Sequence, residues 1–322
     1  MKILITGGAG YIGSHLVNEL LSQGANCVVL DNLSRGLGNR ISNNVEFVNI
    51  DLCDLVRLEK FMQGKSFDAI FHLAGYMQAR ESSRIPSAYW ANNLVATQNL
   101  LHLVRNPSST KFIFSSTCSV YGNNPLANEN SVLNPLSVYA QTKARAEKEI
   151  LNKYKDVKTN VTLFRFFNVI GCSPIPYFCD IQQETLLPSV ARLLLQGKSP
   201  IIYGNDFRTS DGYAVRDFID VRDLVQALVL PLQSDLFGIH NLASGYSKSV
   251  FEVVSQLIET SKLNGIGVKI ANKNPEDPSV IRSKASWKVL DLDWVPRHGL
   301  KDSIDNFWSV FSIYFRNESN LE

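Results

Sequence analysis

Cysteine is scarce. Five among 322 residues, at positions 27, 53, 118, 172 and 179, are odd in number and lack metal-ligand spacing. A disulfide framework is therefore not expected, and reduced thiols in a cytoplasmic compartment are. Cys172 and Cys179 have neither a histidine cluster nor a second CxxC beside them, so no metal is expected. No run of five or more basic residues occurs, and the net charge is +2, which gives no electrostatic reason for nucleic acid or an acidic membrane as partner. No segment approaches the ~18 apolar residues of a membrane span. The N-terminus reads as a short strand meeting a glycine loop, so no signal peptide is expected either. Internal repeats and low-complexity segments are lacking. At 45% hydrophobic and 19% charged residues the chain reads as globular, with length for one large domain or two.

What is present is concentrated first in residues 1–31. An apolar run (Ile3, Leu4, Ile5) meets the glycine loop TGGAGYIG, then a helical pattern (Leu16, Val17, Leu20, Leu21), a stop at Gly24 and a second apolar run, Cys27 to Leu30, ending in Asp31. This is the order of a β-α-β unit that holds a dinucleotide. A pyrophosphate must approach the backbone at the helix N-terminus, and Gly7, Gly8, Gly10 and Gly13 remove the side chains that would stand in its way. Asp31, eighteen residues after Gly13, is placed to accept both hydroxyls of an adenosine ribose. A carboxylate there favours NAD over NADP, because it repels a 2′-phosphate.

Strand patterns recur at Val45 to Ile50, Ala69 to Leu73, Phe112 to Ser115 and Val161 to Phe166, with helices over Ala88 to Val104 and Pro135 to Tyr154. The alternation predicts an α/β fold: a Rossmann-type doubly wound parallel sheet, with ligands beyond the strand C-termini. From Gly171 it breaks down into Pro174, Pro176, Pro188 and Pro200 around a helix at Leu186 to Gln196. Two domains are expected: 1–170, with 211–243 returning to its sheet through strands at Val215 to Ile219 and Ile239 to Leu242, and a smaller α/β substrate domain from 171–210 and 244–322. Val221 to Leu230 reads as a helix, Gly267 to Ile270 as a strand, and the tail after Arg316 as frayed.

Tyr139 and Lys143 are four residues apart on a predicted helix and project from one face. A tyrosine with a pKa of about 10 is a poor base at neutral pH; a nearby ammonium and a positive nicotinamide both favour its phenolate. YxxxK alone is weak, since a core tyrosine beside a solvated lysine looks the same. Its place after the fifth strand of a dinucleotide fold favours a proton-transfer device. That strand ends in Ser115, Ser116 and Thr117, which supply hydroxyls.

The blocks TGGAGYIGSH, DNLS, FHLAG, PSAYWANN, FIFSSTCSVYG, SVYAQTK, FRFFNVIG, IYGNDFRTSDGYAVRDFIDV and NLASG resemble, in order, those of the extended short-chain dehydrogenase/reductases, and within them the UDP-glucose 4-epimerases most. The resemblance implies NAD held by Gly7, Gly10, Tyr11, Ile12, Gly13, Asp31, Asn32, Asp51, Leu52, Leu73, Ala74, Gly75, Asn92, Ser115, Tyr139, Lys143 and Phe166. It implies a catalytic set of Thr117, Tyr139 and Lys143, with Thr117 in place of the family's serine. Tyr139 would take the proton of the sugar 4-hydroxyl, the reaction passing through a 4-keto sugar. Asn168, Leu186, Tyr203, Arg216 and Asp277, with Thr117, match substrate contacts, Arg216 facing the diphosphate.

Three departures bear on the substrate. Asn274 stands where an arginine often meets the diphosphate, with Lys273 adjacent as a weaker substitute; Thr185 replaces an asparagine and Met77 a lysine. Ile281 aligns with a position bordering the sugar C2 substituent and is smaller than the tyrosine of some members, so an N-acetyl group is expected to fit. Relatives commonly form homodimers through the Ala88 to Val104 and Tyr139 helices.

Alternatives remain. A nucleotide-sugar 4,6-dehydratase shares the fold, NAD and YxxxK, but needs an acid pair where this chain has Cys118 and Ser119. A reductase or decarboxylase on a nucleotide sugar stays open. A non-catalytic dinucleotide sensor is disfavoured by Thr117, Tyr139 and Lys143 together. His15, His72, His102, His240 and His298 show no paired acid or nucleophile and read as structural, as do Trp287 and Trp294.

Overall fold

A computed structural model describes residues 1–319 apart from 174–178, 180–184, 264, 275–276 and 285–293. Pro174, Pro176 and Trp287 lie outside the described residues. The strands and main helices, in order, are β1 (Lys2–Thr6), α1 (Tyr11–Ser22), β2 (Asn26–Asp31), β3 (Glu46–Asn49), α2 (Leu55–Met62), β4 (Ala69–His72), α3 (Ala79–Arg84), α4 (Pro86–Tyr89), α5 (Ala96–Leu103), β5 (Lys111–Thr117), α6 (Val138–Lys153) and β6 (Val161–Phe166). There follow β7 (Asn168–Ile170), α7 (Leu186–Leu195), β8 (Ile201–Tyr203), β9 (Val215–Asp220), α8 (Val221–Gln233), β10 (Gly238–Leu242), β11 (Ser247–Ser249), α9 (Val250–Ser261), β12 (Lys269–Ala271), β13 (Val280–Ile281) and α10 (Leu300–Ser319). The last helix runs three residues past the point where fraying was expected.

Contacts group Met1–Gly122, Glu129–Phe166 and Val225–Asn241 into one unit, and Asn123–Asn128, Phe167–Leu224 and Leu242–Glu322 into a second. The first is built on a seven-stranded sheet in the order β10-β6-β5-β4-β1-β2-β3. β1 to β6 run parallel, so their C-terminal ends share one edge. Strand order reverses on either side of β1, which makes the C-terminal end of β1 the switch point where such sheets take ligands. Central strands that are buried on both faces need apolar side chains at every position. Leu4, Val28, Ile70, Phe112 and Leu163 pack on one face with Leu58 of α2, Leu100 and Leu101 of α5, and Ala146 and Ile150 of α6. Each large apolar side chain among them contributes about 1.5–3 kcal/mol.

In the second unit β9 pairs with β7 and β13 in parallel and with β11 antiparallel, and β8 pairs with β12. The strand expected to return to the main sheet over Val215 to Ile219 lies here instead. Its carboxylates explain the difference. Asp217 is fully buried and accepts the Ser244 and Gly245 N–H groups, partners that the loop beside β11 supplies and the interior of a parallel sheet does not. Helices α7, α9 and α10 contact one another, with Leu187, Val190, Val254, Leu257, Phe307 and Phe311 buried.

Candidate active site

The catalytic candidates come together in the first unit. Ser137 caps α6, its hydroxyl accepting the Ala140 N–H at 3.2 Å. Tyr139 and Lys143 therefore lie one turn apart, both buried. The Tyr139 backbone N–H, unpaired within the first turn of a helix, donates to Ser82 Oγ of α3 at 3.1 Å. The Tyr139 phenol faces Thr117 at the end of β5, whose hydroxyl lowers the phenol's pKa and is itself bonded to Ser119. Lys143 Nζ donates to the Ser115 carbonyl at 2.7 Å and stands 4.5 Å from the centre of the Phe114 ring. A Cβ at Gly75 would come within 3.3 Å of that ammonium nitrogen, so the residue after Ala74 is held small.

Burial dominates the electrostatics. It pushes the Tyr139 phenol up to about 12, against the nearby Thr117 hydroxyl, which lowers it. It pushes Lys143 down to about 7, against Glu147, which raises it. The sequence suggested that the lysine and a positive nicotinamide together favour the phenolate; in the structure Lys143 is tied to a carbonyl, and burial is the largest influence on the Tyr139 phenol.

At the C-terminal end of β1, Gly7 has φ +75° and an added Cβ would meet the Ala74 nitrogen at 2.6 Å. A Cβ at Gly13 would overlap the Gly7 carbonyl. Gly10 caps α1 without a side-chain bond, so Tyr11, Ile12 and Gly13 open a helix end with backbone donors and the positive end of the dipole. Asp31 is buried; its oxygens accept the Ala9 N–H at 3.0 Å and the Leu33 N–H at 2.8 Å. Two of about four lone-pair positions remain for other donors. Asn32 Nδ2 donates to Asp51 at 2.9 Å, and Asn99 Nδ2 to the Leu52 carbonyl at 2.9 Å. Leu73 and Ala74 are tied to Thr6. Phe166 is buried opposite Thr117 in the β5–β6 register.

Asn92 lies in a wider π-helical turn over Trp90–Val95, between α4 and α5, a type of bulge frequent at functional sites. Its amide oxygen is buried without a partner. An orphaned acceptor costs about 1–3 kcal/mol and suits a ligand donor such as an adenine amine.

The nucleotide candidates lie in the second unit. Asn168 opens β7, and its amide nitrogen is also buried without a partner. Leu186 begins α7 after Thr185, and Tyr203 ends β8 about half exposed. Arg216 of β9 donates to the Val215 carbonyl at 2.8 Å and stands opposite Ile281 in register. The Asp277 N–H donates to the Asn274 carbonyl at 3.0 Å. Lys273, expected as a diphosphate substitute, is instead paired with Asp206 at 2.7 Å. His298 does have a paired acid, Asp223 at 2.7 Å; its backbone N–H donates to the same carboxylate, so the pair is a local tether. His72 is enclosed by Thr6 and Thr97 hydroxyls, and burial lowers its pKa to about 3.

Residues 3–243 match the model of the NAD dependent epimerase/dehydratase family. The chain belongs to that family. It is 33% identical to UDP-glucose 4-epimerase 1 of Oryza sativa subsp. japonica, over 95% of this chain and 93% of that one. Among solved structures, the UDP-glucose 4-epimerase of Thermus thermophilus in complex with NAD superposes with a TM-score of 0.85 at 28% identity, covering 97% and 99% of the two chains. The UDP-Glc/GlcNAc 4-epimerase of Campylobacter jejuni gives 0.81 at 32% identity, covering 97% and 99%. No helix among the described residues is long and apolar enough to cross a membrane.

The residues present fit the cofactor of this NAD dependent family: a side-chain-free cradle, an uncapped helix end, a buried carboxylate with acceptor capacity and an orphaned amide. Sequence reading missed the supports behind them. Asn93 bonds Tyr76 on both its main-chain groups, at 2.7 and 3.0 Å, and Thr142 of α6 at 3.1 Å. Glu147, one turn beyond Lys143, accepts Arg165 Nε at 2.9 Å and Nη2 at 2.6 Å, and the Ser116 hydroxyl. The signal was legible: an arginine inside the apolar run VTLFRFF requires a buried acid.

Proposed function

We propose that this enzyme is an NAD-dependent 4-epimerase of UDP-sugars, inverting C4 of UDP-glucose and UDP-galactose or of their N-acetyl forms, as a cytoplasmic homodimer. The observation that carries the reading is the burial of Thr117, Tyr139 and Lys143 together at the end of β5 and the start of α6, Lys143 one helical turn from Tyr139 and bonded to the Ser115 carbonyl. NAD, when bound, supplies the hydride acceptor and a positive ring that favours the Tyr139 phenolate. Tyr139 Oη takes the proton of the sugar 4-hydroxyl and returns it to the inverted oxygen. The Thr117 hydroxyl lowers the proton affinity of the phenol, and Lys143 fixes the helix face through Ser115. Gly7, Gly10, Tyr11, Ile12, Gly13, Asp31, Asn32, Asp51, Leu52, Leu73, Ala74, Gly75, Asn92, Ser115 and Phe166 hold the cofactor in this reading. Asn168, Leu186, Tyr203, Arg216 and Asp277 hold the nucleotide.

Supporting the sugar choice, Ile281 is a medium-sized residue paired with Arg216 in strand register. Dehydration is disfavoured because Cys118 is a buried thiol and Ser119 is bonded to Thr117, leaving neither as an acid. Exposed Val95 and Leu151 on the two expected dimer helices support self-association. Incubating the protein with a panel of UDP-sugars, without oxidant or reductant, and assigning C4 configuration by NMR tests the proposal. Inverted products are expected from UDP-glucose or UDP-N-acetylglucosamine, and none from any sugar would overturn it. Activity confined to UDP-glucose would remove the N-acetyl part.

The phenol's pKa gives a second expectation. Removing the Thr117 hydroxyl removes an interaction that lowers Tyr139, so the phenol rises further and its base form becomes rarer at neutral pH. Thr117→Val is expected to lower kcat/KM at pH 7 by about 10–100-fold, with partial recovery as pH rises. A kcat/KM–pH profile that keeps its acid limb in place would contradict this.

A further inference from the structure

The sheet of the second unit sets two cations side by side. Lys248 of β11 pairs with Arg216 of β9 in antiparallel register, between the pairs Ser247↔Asp217 and Ser249↔Val215. Residues directly opposite each other in such a pair share a face, with Cβ atoms about 4.5–5.5 Å apart. Lys248 and Arg216 therefore project together. On the other side of β9, Ile281 of β13 takes the same register position, so Arg216 stands in the middle of a row with Lys248 at one end.

Asp217, one residue further along β9, fixes that register from the opposite face. Its Oδ1 accepts the Ser244 N–H at 2.9 Å, and the Gly245 N–H approaches both carboxylate oxygens, at 3.3 and 3.2 Å. Gly245 takes φ +80°, a left-handed turn that aims successive N–H groups at one carboxylate. A slip of one residue would break these bonds and turn Lys248 to the other face. Like charges directly opposite one another are unfavourable; an anion between them reverses the sign.

The local partner of Lys248 leaves it able to meet such an anion. Its Nζ donates to Glu252 Oε1 at 2.8 Å, the two side chains being 47% and 46% exposed. An exposed pair of this spacing on a helix is worth only about 0.3–0.5 kcal/mol, and an ammonium carries three donors. Glu252 itself is fixed at the start of α9, where its Oε2 accepts the Ser249 N–H at 2.8 Å. Lys248 thus also screens that fixed carboxylate from the Arg216 face. Lys273 is held more firmly: its Nζ donates to the Asp206 carboxylate at 2.7 Å and carbonyl at 3.3 Å, and stands 5.3 Å from the centre of the Phe207 ring.

We propose that Lys248 is a second diphosphate-binding residue, acting with Arg216 across the β9–β11 register to hold the phosphate groups of the nucleotide sugar. The inference rests on the reading of Arg216 in the previous subsection and deepens it. The two cations divide the work: the planar guanidinium sets the orientation of the phosphate oxygens, and the ammonium adds a point charge that follows them.

The test separates phosphate from nucleoside. Wild-type protein, K248M, K248R and R216M are each loaded with NAD. Binding of UDP is measured by calorimetry, competition by uridine in the same assay, and kcat and KM on a UDP-sugar that the wild type turns over. K248M is expected to weaken UDP by about tenfold, the scale of one hydrogen bond to a charged group, and to raise KM by a similar factor. Its kcat, bound NAD and affinity for uridine stay close to wild type, and K248R recovers most of the UDP affinity. A lysine with a structural role alone would not move the ratio of UDP to uridine affinity. K248Q replaces K248M should the latter fail to fold. A folded variant without the lysine that binds UDP as tightly as wild type, while R216M binds it more weakly, overturns the role of Lys248 and leaves the nucleotide site standing. Wild-type affinity for UDP in R216M as well, or wild-type protein that binds no UDP, overturns both.

Discussion

Tyr139→Phe is expected to lower kcat by about 10²–10⁴-fold, the usual contribution of a positioned proton-transfer group, while the protein keeps its NAD. The substitution deletes one oxygen. The ring remains packed edge-on near Tyr89, 6.5 Å between centres, and the backbone bond to Ser82 is untouched, so the helix stays where it is. What is lost is the phenol oxygen beside Thr117, the group proposed to exchange a proton with the sugar oxygen. Steady-state rates on a UDP-sugar, with nicotinamide nucleotide quantified after denaturation, check both halves. A dinucleotide sensor would show no functional loss; an enzyme whose base lies elsewhere would keep its turnover.

The second large effect concerns stability. Glu147 and Arg165 are both almost fully buried, with side chains 4% and 3% exposed, and they join α6 to β6. Arg165 also donates to the Tyr121 hydroxyl at 2.9 Å, and Tyr121 donates to Asn241 at 2.6 Å. Glu147→Ala leaves a guanidinium in a low-dielectric interior with its main acceptor gone, so a loss of about 3–5 kcal/mol is expected. The double variant Glu147→Met with Arg165→Met removes both charges and keeps volume, and is expected to recover most of that loss. Urea unfolding at constant m-value measures each. A single variant close to wild type, on the scale of an exposed pair (about 0–1 kcal/mol), would show that the pair is not the anchor described.

Legibility followed local physics. The unit from β1 to β2 was readable because each of its parts obeys a short-range rule: apolar strand, glycines where backbone meets backbone, helix period, acid at the strand end. β4, β5 and β6 were readable as runs buried on both faces. Val161 to Phe166 matches β6 residue for residue. The helix expected over Ala88 to Val104 begins at Pro86 and changes winding at Trp90–Val95, which periodicity does not encode. The helix after β9 was expected to stop before Pro231 but runs to Gln233; the proline has no N–H for the helix ladder, while its own carbonyl accepts from Lys111 Nζ.

Short strands were harder. β7, β8, β11 and β13 span three residues or fewer, too few for a period to register, and their pairing is decided by tertiary partners. The same limit governs the site. Tyr139 and Lys143 announce themselves by spacing on one helix. Asn93, Glu147 and Arg165 act through contacts with other strands and helices, and only the charge in an apolar strand hinted at any of them. The phenol illustrates a further limit: spacing reveals a lysine neighbour, but whether its charge or the desolvation around it wins depends on burial that no spacing reports.

The most direct test uses UDP-glucose carrying deuterium at C4, incubated with the purified protein in ordinary water with no oxidant or reductant added. If the hydrogen taken from C4 is handed back within the same site while Tyr139 handles only the proton on oxygen, the UDP-galactose formed retains deuterium at C4. Loss of the label to solvent, or product that forms only when a reductant is supplied, would contradict the account.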